Sequence, residues 1–220
     1  MVDVSLPEKI SIIIPCYFAN EDLISVTERC LHSLMPTTLE VIIVDDGSPL
    51  KPEFIYDIKI IEAKENGGYA KAVNAGLKES TGEILIVCNN DVEFFDPHWL
   101  KQLIKPLFTG YDISSVRTTD SDGWEVEDKI TEGDKFGSIW AMKRSTYEIL
   151  GGLDEGYGKG YFEDLDYHRR AEQNNLKIGK NHASFVYHAG KHTFKAIDPI
   201  DLHFYEARDK FVAKWGTDKL

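Results

Sequence analysis

An α/β fold with a mostly parallel central sheet flanked by helices is what the sequence predicts, and three observations carry that expectation. Short apolar runs bounded by turn residues recur at 10–14, 39–44, 58–61 and 84–87. Helical patterns of apolar residues fill most of the intervals between them, and this alternation is the signature of parallel βαβ units. The chain has 220 residues, 42% of them hydrophobic, enough for one sizeable core, so a single domain over 1–220 is expected.

Taken in order, the first strand, Ile10 to Ile14, leads into a helix over 22–34, and the second, Leu39 to Val44, is followed by the third at 58–61. A helix over 70–79 precedes the fourth strand. Pro97 then opens a helix over 97–108, with Asp96 as its expected N-cap, since proline suits the first helical position and an Asp side chain can accept from the free N–H groups there. Beyond about residue 111 the pattern becomes mixed. Strands are expected at 113–117, 138–142 and 177–187, and helices from Arg144, over 162–173 and over 199–215. A glycine-rich stretch, GGLDEGYGKGYFEDLDYHRR, spans 151–170 and implies a tightly turned or flexible backbone. The chain thus divides into a first half over about 1–110, of nucleotide-binding type, and a second over about 111–220 that shapes the substrate side of the same sheet.

Charge narrows the function. With a net charge of −12 and no basic cluster, a nucleic-acid backbone is excluded as the expected partner, because that binding rests on concentrated Lys and Arg. No apolar run reaches the roughly 18 residues of a membrane span, and residues 1–9 are too polar for a signal peptide, so a soluble cytoplasmic protein is expected. Cys16, Cys30 and Cys88 are odd in number and lack CxxC spacing, which fits buried free thiols.

The chemistry gathers where strands end. The fourth strand runs LIVCNNDVEF, an apolar run that breaks into Asn89, Asn90 and Asp91, and the second ends in Asp45 and Asp46. Asn and Asp are ordinary turn formers. In open parallel sheets, however, ligands collect outside the carboxyl ends of strands, and two acidic ends on one edge are unfavourable unless a cation or a donor-rich ligand lies between them. Asp91 suits a hard divalent cation such as Mg²⁺ or Mn²⁺, which needs only one or two carboxylates beside substrate phosphates. Asp46 suits a base or ribose donor. In ENGGYAKAVNAGL, over 65–77, Gly67 and Gly68 open a helix that either offers N–H groups to an anion or packs closely through its small residues. It matches neither GxxxxGK[ST] nor GxGxxG. Glu163, Asp164 and Asp166 open another helix beside the glycine-rich stretch, as a cap or as a site.

Together SIIIPCY, VIIVDDGS, NGGYAKAVNAGL, GEILIVCNNDVEF and GGLDEGYGKGYFEDLDYHRR occur in the order and at the spacings of family 2 glycosyltransferases, and the chain resembles that family over roughly 9–191. The resemblance implies the GT-A fold and inverting transfer of a sugar from a UDP- or dTDP-sugar to a hydroxyl of a glycan or related acceptor, with Mn²⁺ or Mg²⁺ on the diphosphate. It assigns Pro15, Tyr17, Asp45, Asp46, Asn66, Lys71, Asn89 and Asn90 to the nucleotide and Asp91 to the metal. His188 would join the metal or be a structural histidine. Asp164 would be the general base with Glu163 beside it, and Trp140 and Asp166 would face the acceptor, with a core role open for Trp140. The family's Asp-Xaa-Asp position is occupied here by Asn89, Asn90 and Asp91, so only its last acid is kept. A binding module that retains the fold without catalysis is the alternative, and a nucleotidylyltransferase is a weaker one because SIIIPCYFANED lacks the basic loop a triphosphate needs.

Overall fold

Residues 7, 9–119, 126–133, 136–188 and 202–217 are described by the computed structural model. All seven residues of β1 (Ile10–Cys16) and all five of β4 (Ile84–Cys88) are buried, and β2 (Glu40–Asp45) is buried from Val41 onward. Strands this continuously apolar require cover on both faces. Alternation along them divides two cores. Ile12, Ile14, Ile43 and Ile86 face Cys30 and Leu31 of helix α1 (Glu21–Leu34), while Ile13, Ile42, Leu85 and Val87 face Val73 and Leu77 of α2 (Tyr69–Glu79). Asn20 caps α1, its side-chain oxygen accepting from Leu23 N–H at 3.1 Å. Gly76 allows α2 to lie against the sheet, because a Cβ there would stand 2.3 Å from an Ile13 methyl.

β1 pairs in parallel with both β2 and β4, and β2 with β3 (Lys59–Glu62), so the carboxyl ends of β1, β2 and β4 share one edge, as the sequence predicts. The sheet then continues as β8 (Ile139–Lys143), β6 (Ile113–Thr119), β9 (Ile178–His188) and β5 (Val92–Glu93), with β7 (Ile130–Glu132) also paired to β9. β8 is antiparallel to β4 and β6, whereas β6 and β9 are parallel. The parallel pattern therefore describes the first half of the sheet, and the second half is mixed.

The expected helix over 97–108 begins later. Asp96 closes a turn instead of capping a helix at Pro97: its side chain accepts from His98 N–H at 2.8 Å and its carbonyl from Trp99 N–H at 3.1 Å. Helix α3 then runs Trp99–Ile104 and tightens into a 3₁₀ turn at Lys105–Phe108. Helices α4 (Arg144–Leu150) and α5 (Glu163–Gln173) follow as expected, and the closing helix α6 is described from Leu202 to Trp215, its expected first residues lying outside the described range. Phe211 and Ala207 of α6 pack on Tyr157 and Phe162, which joins this helix to the glycine-rich segment. Cys16, Cys30 and Cys88 are free and buried.

Candidate active site

The parallel strand ends open into a cavity of about 530 Å³. One wall is Pro15 and Cys16 from β1 and Tyr17 just beyond it, Asp46 beyond β2, and Asn89, Asn90 and Asp91 beyond β4, with Asn66 before α2 and Tyr69 at its start. Facing it are Phe136, Lys159, Tyr161, Glu163, Asp164, His188 and Phe204, brought from the segment just before β8, the glycine-rich segment, α5, β9 and α6.

Asp46 spans the glycine turn, its two carboxylate oxygens accepting from Gly67 and Gly68 N–H at 2.8 Å each. Burial raises its pKa, and those two N–H donors work against the rise. Tyr69 N–H donates to Lys159 carbonyl at 3.1 Å. Three N–H groups at this glycine-rich helix start are thus bonded within the protein, so close packing, and not an open anion cradle, accounts for the glycines. Gly68 is held at φ +95°, and a Cβ on it would meet Gly158 carbonyl oxygen at 2.1 Å. Asn74 ties the other end of the glycine-rich segment, donating to Leu153 carbonyl at 2.9 Å and accepting from Leu153 N–H at 2.8 Å.

At the β4 end, Asn89 Oδ1 accepts from Tyr69 hydroxyl at 3.1 Å, and Asn90 donates to Thr27 hydroxyl at 2.9 Å. Asp91 Oδ1 lies 2.9 Å from His188 Nε2. Strand pairing causes this approach, since Val92 of β5 stands opposite His188 of β9.

Across the cavity, Tyr161 and Phe162 both adopt left-handed backbone, with φ of 70° and 65°. Such conformations cost bulky residues about 1–3 kcal/mol each. They turn the chain so that α5 starts at the cavity with Glu163 buried and Asp164 half-buried. Burial, and then the neighbouring Asp164, push the Glu163 carboxyl up to about 8. Its Oε2 is buried without a hydrogen-bond partner.

Four expected site residues do not line this cavity. Asp45 turns away and holds the next turn, accepting from Ser48 N–H at 2.9 Å and from the Lys51 ammonium. Lys71 is exposed on α2, its stem against Gly67. Trp140 is a core residue stacked on Phe136 with ring centres 5.1 Å apart, so it backs the wall one ring behind the surface. Asp166 is fully buried and accepts from Arg170 at 2.8 Å, Lys214 at 2.6 Å, Tyr157 hydroxyl at 3.1 Å and Trp215 indole N–H at 2.9 Å. It fastens α6 to α5 instead of facing an acceptor. Sequence reasoning missed Lys159, Tyr69, Phe136 and Phe204. Lys159 donates to Asn66 carbonyl at 2.5 Å and to its side-chain oxygen at 2.9 Å. A cation between two glycines was its only signal.

A family model described as glycosyl transferase family 2 matches residues 11–160. The dolichol-phosphate mannosyltransferase of Pyrococcus furiosus is 30% identical over 113 residues, which cover 48% of this chain and 32% of that protein. The low-salt glycan biosynthesis hexosyltransferase Agl10 of Haloferax volcanii is 26% identical over 215 residues, covering 81% of this chain and 66% of that one. The chain therefore spans between a third and two thirds of these curated relatives. Among solved structures, the mannosyltransferase PcManGT from Pyrobaculum calidifontis, in complex with GDP-Man and Mn²⁺, superposes with a TM-score of 0.65 at 18% identity, covering 95% of this chain and 65% of that one. The fold is GT-A, and the motifs, the cavity at the strand ends and the family match together make this chain a glycosyltransferase that belongs to family 2.

Proposed function

We propose that residues 1–220 form one catalytic domain that transfers a sugar, with inversion, from a UDP- or dTDP-sugar to a hydroxyl of a glycan or related acceptor. The observation that carries this reading is the meeting of Asp46, Asn66, Asn89, Asn90 and Asp91 with Glu163 and Asp164 in one cavity. Acids on both walls of one cavity suit a reaction in which a leaving diphosphate and an attacking hydroxyl develop charge on opposite sides of a sugar.

Pro15, Tyr17 and Asn66 would flank the nucleoside, and Asp46 would meet the base while keeping the Gly67–Gly68 turn closed. Asn89 and Asn90 would bond ribose or sugar hydroxyls. Asp91 and His188 fit a divalent metal, because a carboxylate oxygen and an imidazole nitrogen converge to 2.9 Å at the cavity and Mn²⁺ or Mg²⁺ accepts few protein ligands when a diphosphate supplies others. When bound, the ion supplies charge stabilisation to the leaving diphosphate. Asp164, the more open of the two acids, takes the proton of the attacking hydroxyl, a role worth about 10²- to 10⁴-fold in rate. Phe136 and Phe204 narrow the cavity and keep water from competing with the acceptor.

Calorimetry with UDP, dTDP and GDP, and with their sugars, tests this reading in Mn²⁺ and again in EDTA. Binding of a pyrimidine diphosphate that falls about tenfold or more in EDTA is expected. Equal affinity in EDTA removes the metal role of Asp91 and His188, preference for GDP overturns the pyrimidine assignment, and no binding of any nucleotide overturns the donor class.

A further inference from the structure

Four consecutive residues leading into α2 are each held from outside the helix, and two residues do the holding. Asp46 accepts from Gly67 and Gly68 N–H at 2.8 Å each. Lys159, in the glycine-rich segment, takes the residues on either side of that pair. Its ammonium donates to Asn66 carbonyl at 2.5 Å and to Asn66 Oδ1 at 2.9 Å, and its own carbonyl accepts from Tyr69 N–H at 3.1 Å. The segment crosses the turn as closely as glycine permits, since a Cβ on Gly68 would stand 2.1 Å from Gly158 carbonyl oxygen.

The backbone bond to Tyr69 alone would pack this segment on α2, so the side chain of Lys159 adds something else. A lysine ordinarily keeps its ammonium in water, because that charge is strongly hydrated and its stem loses entropy when fixed. Here the residue is half-buried and lines the cavity together with Asn66. A lysine among Asp46, Asp91, Glu163 and Asp164 would be read first as a partner for a diphosphate, yet two of its three N–H groups are committed to one asparagine. Asn66 carbonyl and Gly67 N–H belong to the same peptide group, which Lys159 and Asp46 therefore fix from opposite ends. Bridging the Asn66 carbonyl and Oδ1 with one ammonium also sets the side chain, and leaves the amide Nδ2 as the group Asn66 can offer a ligand.

We propose that Lys159 is a positioning residue for the nucleoside of the donor: it holds Asn66 and the peptide joining it to Gly67 in the orientation that meets the nucleoside, and it does not contact the diphosphate. This inference rests on the donor reading above.

The test compares wild type, Lys159→Met, Asn66→Ala and the double variant for calorimetric binding of uridine and of UDP in Mn²⁺, with melting temperatures of the unliganded proteins. Losing hydrogen bonds from a charged donor should weaken uridine and UDP alike by about tenfold in Lys159→Met. The double variant should bind no more weakly than Asn66→Ala, because a residue that acts through Asn66 then has nothing left to position. A general loosening of the fold would weaken binding in the Asn66→Ala background as well. A loss confined to UDP makes Lys159 a diphosphate contact, and additive losses make it an independent one; either overturns the inference, as does unchanged binding in Lys159→Met.

A second arm needs no ligand. Asn66–Gly67 is open to deamidation because glycine puts no side chain in the way: the Gly67 nitrogen attacks the Asn66 side-chain carbonyl carbon, ammonia leaves, and water opens the cyclic imide to an acid. The Lys159 bridge keeps that side-chain carbonyl beside the Asn66 backbone oxygen and away from the Gly67 nitrogen. Peptide mass spectrometry after incubation in mildly alkaline buffer should show Asn66 converted about fivefold faster in Lys159→Met, the gain in open turn expected when an ordinary hydrogen bond is lost. If wild type binds neither uridine nor UDP, the donor reading fails by itself, and this arm decides for Lys159: faster conversion in Lys159→Met supports its hold on Asn66, and an equal rate overturns it.

Discussion

The strand-end wall and the α5 wall both present carboxylates to the same cavity, but they hold them by opposite means. Asp46 and Asp91 extend from parallel strands whose neighbours fix them, and each has a partner at once, the glycine N–H groups for one and His188 for the other. Glu163 and Asp164 depend on a strained turn and on a helix held from behind. The first wall is rigid because the sheet is, and the second is as rigid as its fastening. That places the greatest vulnerability of the two α5 acids in a residue that never touches the cavity.

Asp166 is that fastening. It takes hydrogen bonds from Tyr157, Arg170, Lys214 and Trp215, which belong to the glycine-rich segment, α5 and α6. Removing one partner of a buried pair costs about 3–5 kcal/mol, and the partial exposure of Lys214 and Arg170 places the expected loss at the lower end. Asp166→Ala should lower stability by about 3 kcal/mol in urea unfolding, whereas a change under about 1 kcal/mol would mean that the Phe211 cluster alone holds α6.

The next effect concerns the acids themselves. Asp164→Asn keeps size and much of the hydrogen bonding but cannot take a proton, so transfer should fall by about 10²-fold or more while nucleotide binding survives. Steady-state transfer and calorimetry on the same preparation separate the two. If transfer stays near wild type, the strand-end wall carries the chemistry unaided and the comparison between the walls inverts.

These two walls were not equally legible. The strand ends of β1, β2 and β4 follow from local pattern, because an apolar run fixes the strand and parallel pairing fixes the edge, so Pro15, Tyr17, Asp46, Asn89, Asn90 and Asp91 could be placed on one side of a cavity. Asp45 and Asp46 show the limit. Adjacent residues at a strand end point opposite ways, and nothing local says that Asp45 is the one drawn off by Ser48 and Lys51. On the other wall, EDLD opens a helix in which Glu163 and Asp164 face the cavity, while Asp166 turns to the α6 side. Its partners Lys214 and Trp215 lie nearly fifty residues away in sequence, a contact that spacing cannot reveal. Trp140 is similar, since an aromatic in a strand reads alike whether it faces a ligand or a second ring.

The smallest expected effect tests how local the first wall is. Lys71 lies in the same glycine-rich motif as Asn66 and would be an obvious cation for a diphosphate, but it is exposed, with its stem beside Gly67. Lys159 instead reaches Asn66 from the opposite segment. An exposed charge outside the cavity acts through solvent and is screened within about 8 Å at physiological salt. Lys71→Ala should therefore change UDP affinity less than about twofold at 0.15 M salt, with melting shifted little because a solvated lysine is exchanged for a good helix former. Lys159→Ala in the same titration should weaken binding clearly more. A tenfold loss in Lys71→Ala would require its ammonium to swing into the cavity when nucleotide binds, and the first wall would then be as dependent on rearrangement as the second.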